Sequence, residues 1–331
     1  MGNYCLGTAL FGTKIAEAEV NSMLKLFVES GNEYIDTALF YADWIDGKSE
    51  CEKVIGKFLE ANNCRKKVKI ITKCCHPKIE NLQAKRLNAK AINDDLQQSL
   101  ENLKTNYIDI LMLHKDDVNV GVEELIDELE TLISQNIIKE YGFSNWSAKR
   151  INEVINYCQQ KNYKGFTSLQ LMWSLAKPNA NYFDENEHVS YSEKFDAIFK
   201  KLSLKIFTYS SLGRGVFSKL KSKKTLVRRS VYNAYFNYNN LAIFHYLLRN
   251  GKSVLECEFG YLVSQPKATI IPIVGVSNLQ QLREIVNSKP VEFAQTQIKK
   301  FSKFRNEEIS VLKKIFLKWK YKTFFETKNL I

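Results

Sequence analysis

Proline and glycine are scarce in this chain, with 5 and 14 among 331 residues. That scarcity excludes a collagen-like or Pro/Gly-rich disordered polymer, and a 45% hydrophobic share is too rich in apolar residues for intrinsic disorder. No uninterrupted apolar run approaches the roughly 20 residues that a membrane-crossing helix needs. The opening residues, MGNYCLGTALFG, lack a basic stretch followed by a long apolar one, so no secretory signal is expected. Leu6 stands where a myristoylation signal carries Ser or Thr. G-x-G-x-x-G does not occur, which leaves a Rossmann domain without support. The seven cysteines are odd in number and scattered, from Cys5 to Cys257. They read as reduced thiols in a cytoplasmic protein, and a core of this size needs no disulfide or metal staple.

What is abundant is positive charge, a formal net of +12. Lysine and arginine stripes gain from counterion release on nucleic acid, so that class of partner has to be weighed. The basic residues are spread along the chain, however. The densest clusters, Lys219 to Arg229 and Lys313 to Lys322, carry no nucleic-acid reader motif. They read as solvated helix faces and loops, and no nucleic-acid or membrane partner is expected. A positive field also attracts an anionic dinucleotide.

Short β-branched runs alternate with longer amphipathic stretches. The strand-like runs are 4–7, 33–36, 68–72, 108–113, 138–143, 167–171, 206–209 and 269–272. Helical patterns fall at 17–30, 49–61, 88–103, 122–135, 147–161, 191–202 and 253–264. This alternation predicts parallel strands joined by crossovers. Eight such units suggest closure into a (β/α)8 TIM barrel, although periodicity alone leaves an open doubly wound sheet as the alternative. A polar loop at 173–190 and an insert at 213–252, with an aromatic-rich helix at 232–248, would lie at the C-terminal mouth. The barrel is expected over about 4–290, and a C-terminal helical tail over about 291–331, with its helix from about Asn306. With no composition break, 1–331 reads as a single domain.

Four polar residues fall at or just beyond the ends of successive strand-like runs: Asp36 and Tyr41 in YIDTALFY, Lys73 in KIITK, and His114 in DILMLHKDD. Singly they are ordinary. An Asp after a strand is commonly a helix cap, a Lys is usually solvated, and a His is often a rim residue. Together they permit one mechanism. Reducing a carbonyl by hydride leaves negative charge on oxygen, which must be stabilised and protonated. Tyr41 can give that proton, but a free phenol near pKa ~10 is a weak acid at neutral pH. A nearby Lys73 ammonium is expected to lower that value, with Asp36 orienting the ammonium. His114 would donate a hydrogen bond to the substrate oxygen.

Asp-Thr-Ala before Tyr41, then Ser49-Glu50, Thr72-Lys73 and Leu113-His114, resembles the catalytic signature of the aldo-keto reductase superfamily. YIDILMLHKDD, YGFSNWS, SLQLMWSLAKPN, YSSLGRG and IPIVGVSNLQQLRE resemble its later barrel segments. They are most similar to the bacterial and plant type with LHRDD-like and GASNW-like motifs. The resemblance implies a TIM-barrel oxidoreductase reducing an aldehyde, ketone or sugar-derived carbonyl, with Asp36, Tyr41, Lys73 and His114 as the catalytic tetrad and Tyr41 as the acid. It also implies a cofactor site. Ser144, Asn145 and Gln170 would hold the nicotinamide carboxamide, and Tyr209 would stack on the nicotinamide ring. Ser210, Leu212, Gly213 and Arg214 would underlie the pyrophosphate, and Gly275, Ser277, Gln281 and Glu284 would grip the adenosine phosphate end.

Three departures from the family pattern stand out. Ile285 replaces a frequent Asn after Glu284, at an adenine contact. Gln281 and Arg283 stand where NADPH-preferring members commonly present Arg or Lys; NADPH is favoured, with NADH possible. The segment between Tyr41 and Ser49 is longer than the frequent form. An alternative on the same barrel is a cofactor-binding regulatory protein similar to potassium-channel β subunits.

Other features carry plainer readings. Cys74-Cys75-His76 has no second Cys/His pair at finger spacing, so no metal is expected. Asp116 and Asp117 are expected to hold the loop and rim rather than act as a carboxylate pair. His188 and His245 are expected at the surface or in loops, without partners. Trp44, Trp146 and Trp173 fall near the mouth, and Trp146 fits ordinary barrel-to-helix packing at least as well as a substrate pocket. The sequence does not specify oligomeric state.

Overall fold

The computed structural model describes residues 4–41, 50–81, 83–180, 182–184, 188–222, 229–249, 251 and 253–322. Eight parallel strands close a barrel in sequence order, with β1 hydrogen-bonded to β8. They are β1 (Cys5–Gly7), β2 (Tyr34–Asp36), β3 (Lys69–Cys74), β4 (Ile108–Leu113), β5 (Ile138–Ser144), β6 (Ser168–Met172), β7 (Lys205–Tyr209) and β8 (Thr269–Gly275). The expected (β/α)8 barrel is the observed one. Helices α1 (Glu17–Glu29), α2 (Glu50–Ala61), α3 (Ala89–Leu103), α4 (Glu123–Ser134), α5 (Ala148–Lys161) and α6 (Asp196–Lys201) lie in the crossovers between successive strands from β1 to β7. Between β7 and β8 come α7 (Val216–Lys221), α8 (Arg229–Tyr235), α9 (Tyr238–Arg249) and α10 (Val254–Val263). After β8 follow α11 (Leu279–Val286), α12 (Gln295–Asn306) and α13 (Val311–Lys320).

Strand alternation divides the core in two. Cys5, Tyr34, Ile71, Ile110, Met112, Phe207, Ile271 and Ile273 form a small buried cluster inside the barrel. Their neighbours Leu6, Ile35, Ile70, Leu111, Ile206 and Val274 belong to the larger layer shared with the helices. Side chains two apart on a strand share a face. The interior column therefore runs from Tyr34 to Asp36, from Ile71 to Lys73, from Met112 toward His114 and from Phe207 to Tyr209. Apolar packing below carries the polar residues above, at the C-terminal ends of the strands.

The structure revises several element boundaries. β8 continues past Pro272, where the sequence suggested an end. The strand pairs with β7 from Thr269 to Pro272 and with β1 from Ile273 to Gly275. Proline therefore sits at the changeover between partners, where its missing N–H is tolerated. The helix expected over 191–202 shortens to α6 with a 3-10 turn at Glu193–Phe195. Tyr191 stays outside it because its N–H donates to the Met172 carbonyl at 3.0 Å and its ring stacks on Trp173 at 3.6 Å. The aromatic-rich helix expected over 232–248 is two helices. Asn237 interrupts it: its Oδ1 accepts the Asn240 N–H at 2.8 Å, as a cap at the start of α9. The tail helix expected from about Asn306 is instead a pair, α12 ending at Asn306 and α13 beginning at Val311, divided by an extended Glu307. Both pack against α9. No helix among the described residues is long and apolar enough to cross a membrane.

Candidate active site

Asp36 ends β2, Lys73 lies one residue before the end of β3, and His114 directly follows β4. Tyr41 lies in the turn after β2, its N–H donating to the Ala38 carbonyl at 2.9 Å. The four converge. Lys73 Nζ donates to Asp36 Oδ1 at 2.8 Å, to the Thr37 carbonyl at 2.7 Å and to the Tyr41 hydroxyl oxygen at 3.0 Å. The Tyr41 hydroxyl in turn donates to Asp36 Oδ2 at 3.3 Å. The Lys73 and Asp36 side chains are 0% and 3% exposed, so the ion pair is dry. His114 meets the Tyr41 ring edge-on at 6.0 Å between centroids. Its Nδ1 is buried with no hydrogen-bond partner among the described residues.

Electrostatics separate the two rings. Burial, then the Lys73 ammonium and the neighbouring His76 and Lys115, hold His114 well below the usual imidazole range, so it is a neutral imidazole. Burial and the Asp36 carboxylate hold the Tyr41 phenol well above its ordinary 10.0. This reverses the expectation that Lys73 makes Tyr41 a stronger acid in the resting protein. The ammonium is already engaged by Asp36, and that carboxylate opposes a phenolate beside it.

A chain of hydrogen bonds leads from this cluster across the mouth. Gln170 Nε2 donates to Asp36 Oδ1 at 2.7 Å, and Ser144 Oγ donates to Gln170 Oε1 at 3.2 Å. Asn145 Nδ2 donates to Ser144 Oγ at 3.1 Å, while Asn145 Oδ1 accepts from the Tyr209 hydroxyl at 2.7 Å. Asn145 reaches this position in a left-handed conformation, φ 61°, which Asn tolerates better than most residues. Beyond Tyr209 the chain turns sharply, with Ser210, Gly213, Arg214 and Gly215 at φ 53°, 49°, 54° and 73°. Leu212 lies within this turn, its carbonyl accepting the Gly215 N–H at 2.7 Å. A Cβ at Gly213 would stand 2.6 Å from that of Ala176, so the turn is pressed against the β6 loop.

Gly275 closes β8, and Asn278 caps α11, its side chain accepting from the Gln281 N–H. The side chains of Gln281 and Glu284 are engaged locally, Gln281 Oε1 with the Ser277 N–H at 2.8 Å and Glu284 with Gln280 at 3.2 Å. Asp36, Tyr41, Lys73, His114, Ser144, Asn145, Gln170 and Tyr209 thus form one connected cluster, while the 275–284 segment stands apart on β8 and α11. Trp44 and Ser49 lie outside the described residues.

Several neighbours escape sequence reasoning. His76 stacks on Phe40 at 3.6 Å and lies 4.8 Å from His114, so its ring packs beside the Tyr41 cluster. Among the described residues no group of three metal-ligating side chains gathers anywhere. Buried Glu52 accepts from Thr72 at 2.6 Å and steadies β3 beside Lys73. That residue had a signal: a carboxylate on the buried face of α2, between Cys51 and Ile55. Buried Asp95 accepts the Cys75 N–H at 2.8 Å and pairs with Arg86 at 2.8 Å, contacts no local pattern announces. Asp116 pairs with Arg150 at 3.1 Å and Asp117 with Lys85 at 3.2 Å, rim-holding contacts as expected. Trp146 is buried against Phe143 at 4.5 Å, the packing reading. Both remaining histidines have partners, contrary to expectation. His188 Nδ1 lies 3.4 Å from the Tyr209 hydroxyl, and the His245 ring meets Phe316 at 5.4 Å.

A closed parallel barrel with a dry Lys–Asp pair touching a phenol at its mouth defines a class: a TIM barrel with a buried polar cluster at the C-terminal face. The model of the aldo/keto reductase family matches residues 3–306, and the chain belongs to that family. It is 26% identical over 309 residues to the aldo-keto reductase AFTS1 of Alternaria alternata, an alignment covering 84% of this chain and 80% of that protein. Membership makes it an oxidoreductase of the carbonyl-reducing kind.

Proposed function

We propose that this protein is a single-domain, NADPH-dependent reductase of an aldehyde, ketone or sugar-derived carbonyl, with Tyr41 as the proton donor. The observation that carries the reading is the Tyr41 hydroxyl held 3.0 Å from Lys73 Nζ and 3.3 Å from Asp36 Oδ2. The residues fit the cofactor. Ser144, Asn145 and Gln170 supply both donors and acceptors, as a carboxamide requires, and Tyr209 offers an aromatic face beside them. The Ser210, Leu212, Gly213 and Arg214 turn and the α11 start, with Gly275, Ser277, Gln281 and Glu284, suit the phosphates and adenosine. Arg283, near Gln281, provides a cation, which favours the 2′-phosphate of NADPH; NADH use follows if it does not reach that group.

When bound, reduced nicotinamide supplies hydride to the carbonyl carbon. The protein's share is the oxygen. Neutral His114 donates a hydrogen bond that fixes the carbonyl oxygen beside Tyr41. The phenol keeps its proton throughout the working pH range, because burial holds its pKa high. It is therefore loaded to donate as negative charge develops. Once the proton has moved, the Lys73 ammonium neutralises the phenolate, and Asp36 keeps that ammonium in place. Tyr41→Phe should abolish carbonyl reduction, a loss of at least ~10²-fold, while NADPH binding by fluorescence titration stays within a few-fold of wild type. Undiminished turnover in that variant would remove Tyr41 from the role.

A further inference from the structure

The last helix wears its apolar side outward. In α13, Val311 is 70% exposed, Leu312 81%, Ile315 60%, Phe316 42% and Trp319 75%. At 3.6 residues per turn these five positions share one arc of about 140°. Leu317 and Tyr321, on the other side, are buried, and Tyr321 packs against Phe244 of α9 at 5.9 Å. The helix is thus anchored to the domain by one edge, where Phe316 at the border of the stripe also meets His245 of α9 at 5.4 Å, and Val311, Leu312, Ile315 and Trp319 face away from it. Single exposed apolar residues are unremarkable, but a contiguous stripe of large ones marks an interaction surface.

The charges around the stripe select the partner. Lys313 and Lys320 border it on one side, and Lys314 and Lys318 on the other; no acidic residue occurs from Ile309 to Lys322. Lys314 is engaged by Glu308 at 2.9 Å and Lys313 lies over the Phe304 ring at 4.5 Å, which leaves both close to the stripe's border. An aromatic and aliphatic stripe between two rows of lysine is the pattern of a helix lying in a lipid interface, apolar side chains among the acyl chains and ammonium groups at the phosphates. A second copy of this chain would bring lysine rows against lysine rows. A nucleic acid would use the cations and leave the stripe wet.

We propose that α13 is a docking surface for an anionic membrane, attaching the barrel to it peripherally without spanning it. The solvated-face reading of Lys313 to Lys322 accounts for the lysines but not for the stripe between them. The proposal is independent of the catalytic assignment, because none of its residues touches the Tyr41 cluster.

Vesicle sedimentation with the full chain tests it, using phosphatidylserine-containing vesicles against pure phosphatidylcholine. The protein should sediment with the anionic vesicles alone and be released by high salt, and Trp319 emission should shift to the blue on binding. Lys318→Glu should weaken binding at least about fivefold, the scale of one surface lysine. The double variant Leu312→Glu, Trp319→Glu should abolish it, with circular dichroism unchanged because both side chains are exposed. Absence of anionic-vesicle binding, or binding that survives the double variant, overturns the proposal. So does a concentration-dependent dimer that the double variant dissolves while vesicles are ignored, since the stripe would then be a self-interface.

Discussion

Lys73 has three N–H donors and spends them on Asp36, the Thr37 carbonyl and Tyr41, at 2.8, 2.7 and 3.0 Å. Methionine matches its length but offers none, so Lys73→Met leaves a buried carboxylate with only its Gln170 and Tyr41 contacts. Removing one member of a dry pair costs about 3 kcal/mol or more. Urea unfolding should show that loss, together with a fall of at least ~10²-fold in kcat. Arginine is not expected to rescue either quantity, because a planar guanidinium cannot occupy an ammonium's three-way site. His114 gives a second prediction at this scale. Its imidazole is neutral by burial, so the pH–rate profile should show no limb from its protonation near 6.5. His114→Gln, which keeps a neutral donor, should retain more activity than His114→Phe. A limb at 6.5 that disappears in His114→Gln would show the imidazole to be ordinary.

At the scale of elements, Gly56 lets α2 meet α3 backbone to backbone. A Cβ on Gly56 would lie 2.2 Å from the Asn102 carbonyl oxygen and 2.7 Å from the Leu103 carbonyl carbon, both backbone atoms that cannot swing aside. Gly56→Ala should therefore destabilise by about 1–3 kcal/mol despite alanine's better helix propensity, read as a lowered urea midpoint. The sequence shows only a glycine in a helix and cannot announce that contact. It was legible where the signal is local. β4 runs from Ile108 to Leu113 as its apolar run suggests, and the polar residues of the mouth follow interior strand positions by two. It failed where partners distant in sequence decide. Pro272 reads as a strand end because its changeover between β7 and β1 is a property of the closed barrel. Tyr191 looked helical because nothing nearby reveals its stack on Trp173. The acidity of Tyr41 was misread for a related reason: the motif names Lys73 as a neighbour but not the degree to which Asp36 has already claimed it.

Among the buried groups that tie stability to pH, Glu258 and His114 are shifted in opposite directions. Glu258 of α10 is fully buried, both carboxyl oxygens lack a hydrogen-bond partner among the described residues, and burial pushes its pKa well above 4.5, with Lys219 opposing. An acid raised in the fold contributes stability that is intact below 4.5 and lost as pH rises through its folded value. His114, depressed by burial, behaves oppositely: its contribution is intact above 6.5 and lost as pH falls toward its folded value. Between those limits the two slopes oppose each other and the wild-type curve is flattened. Above 6.5 His114 has no slope left, so a fall of stability with rising pH there belongs to acids raised in the fold, Glu258 among them. Glu258→Met fills a similar volume without a charge to expel. Its gain over wild type in thermal unfolding should therefore be small below 4.5 and grow as pH rises above it. A gain of the same size at both ends would mean that the carboxyl finds a partner when it ionises, and that the slope belongs to another group.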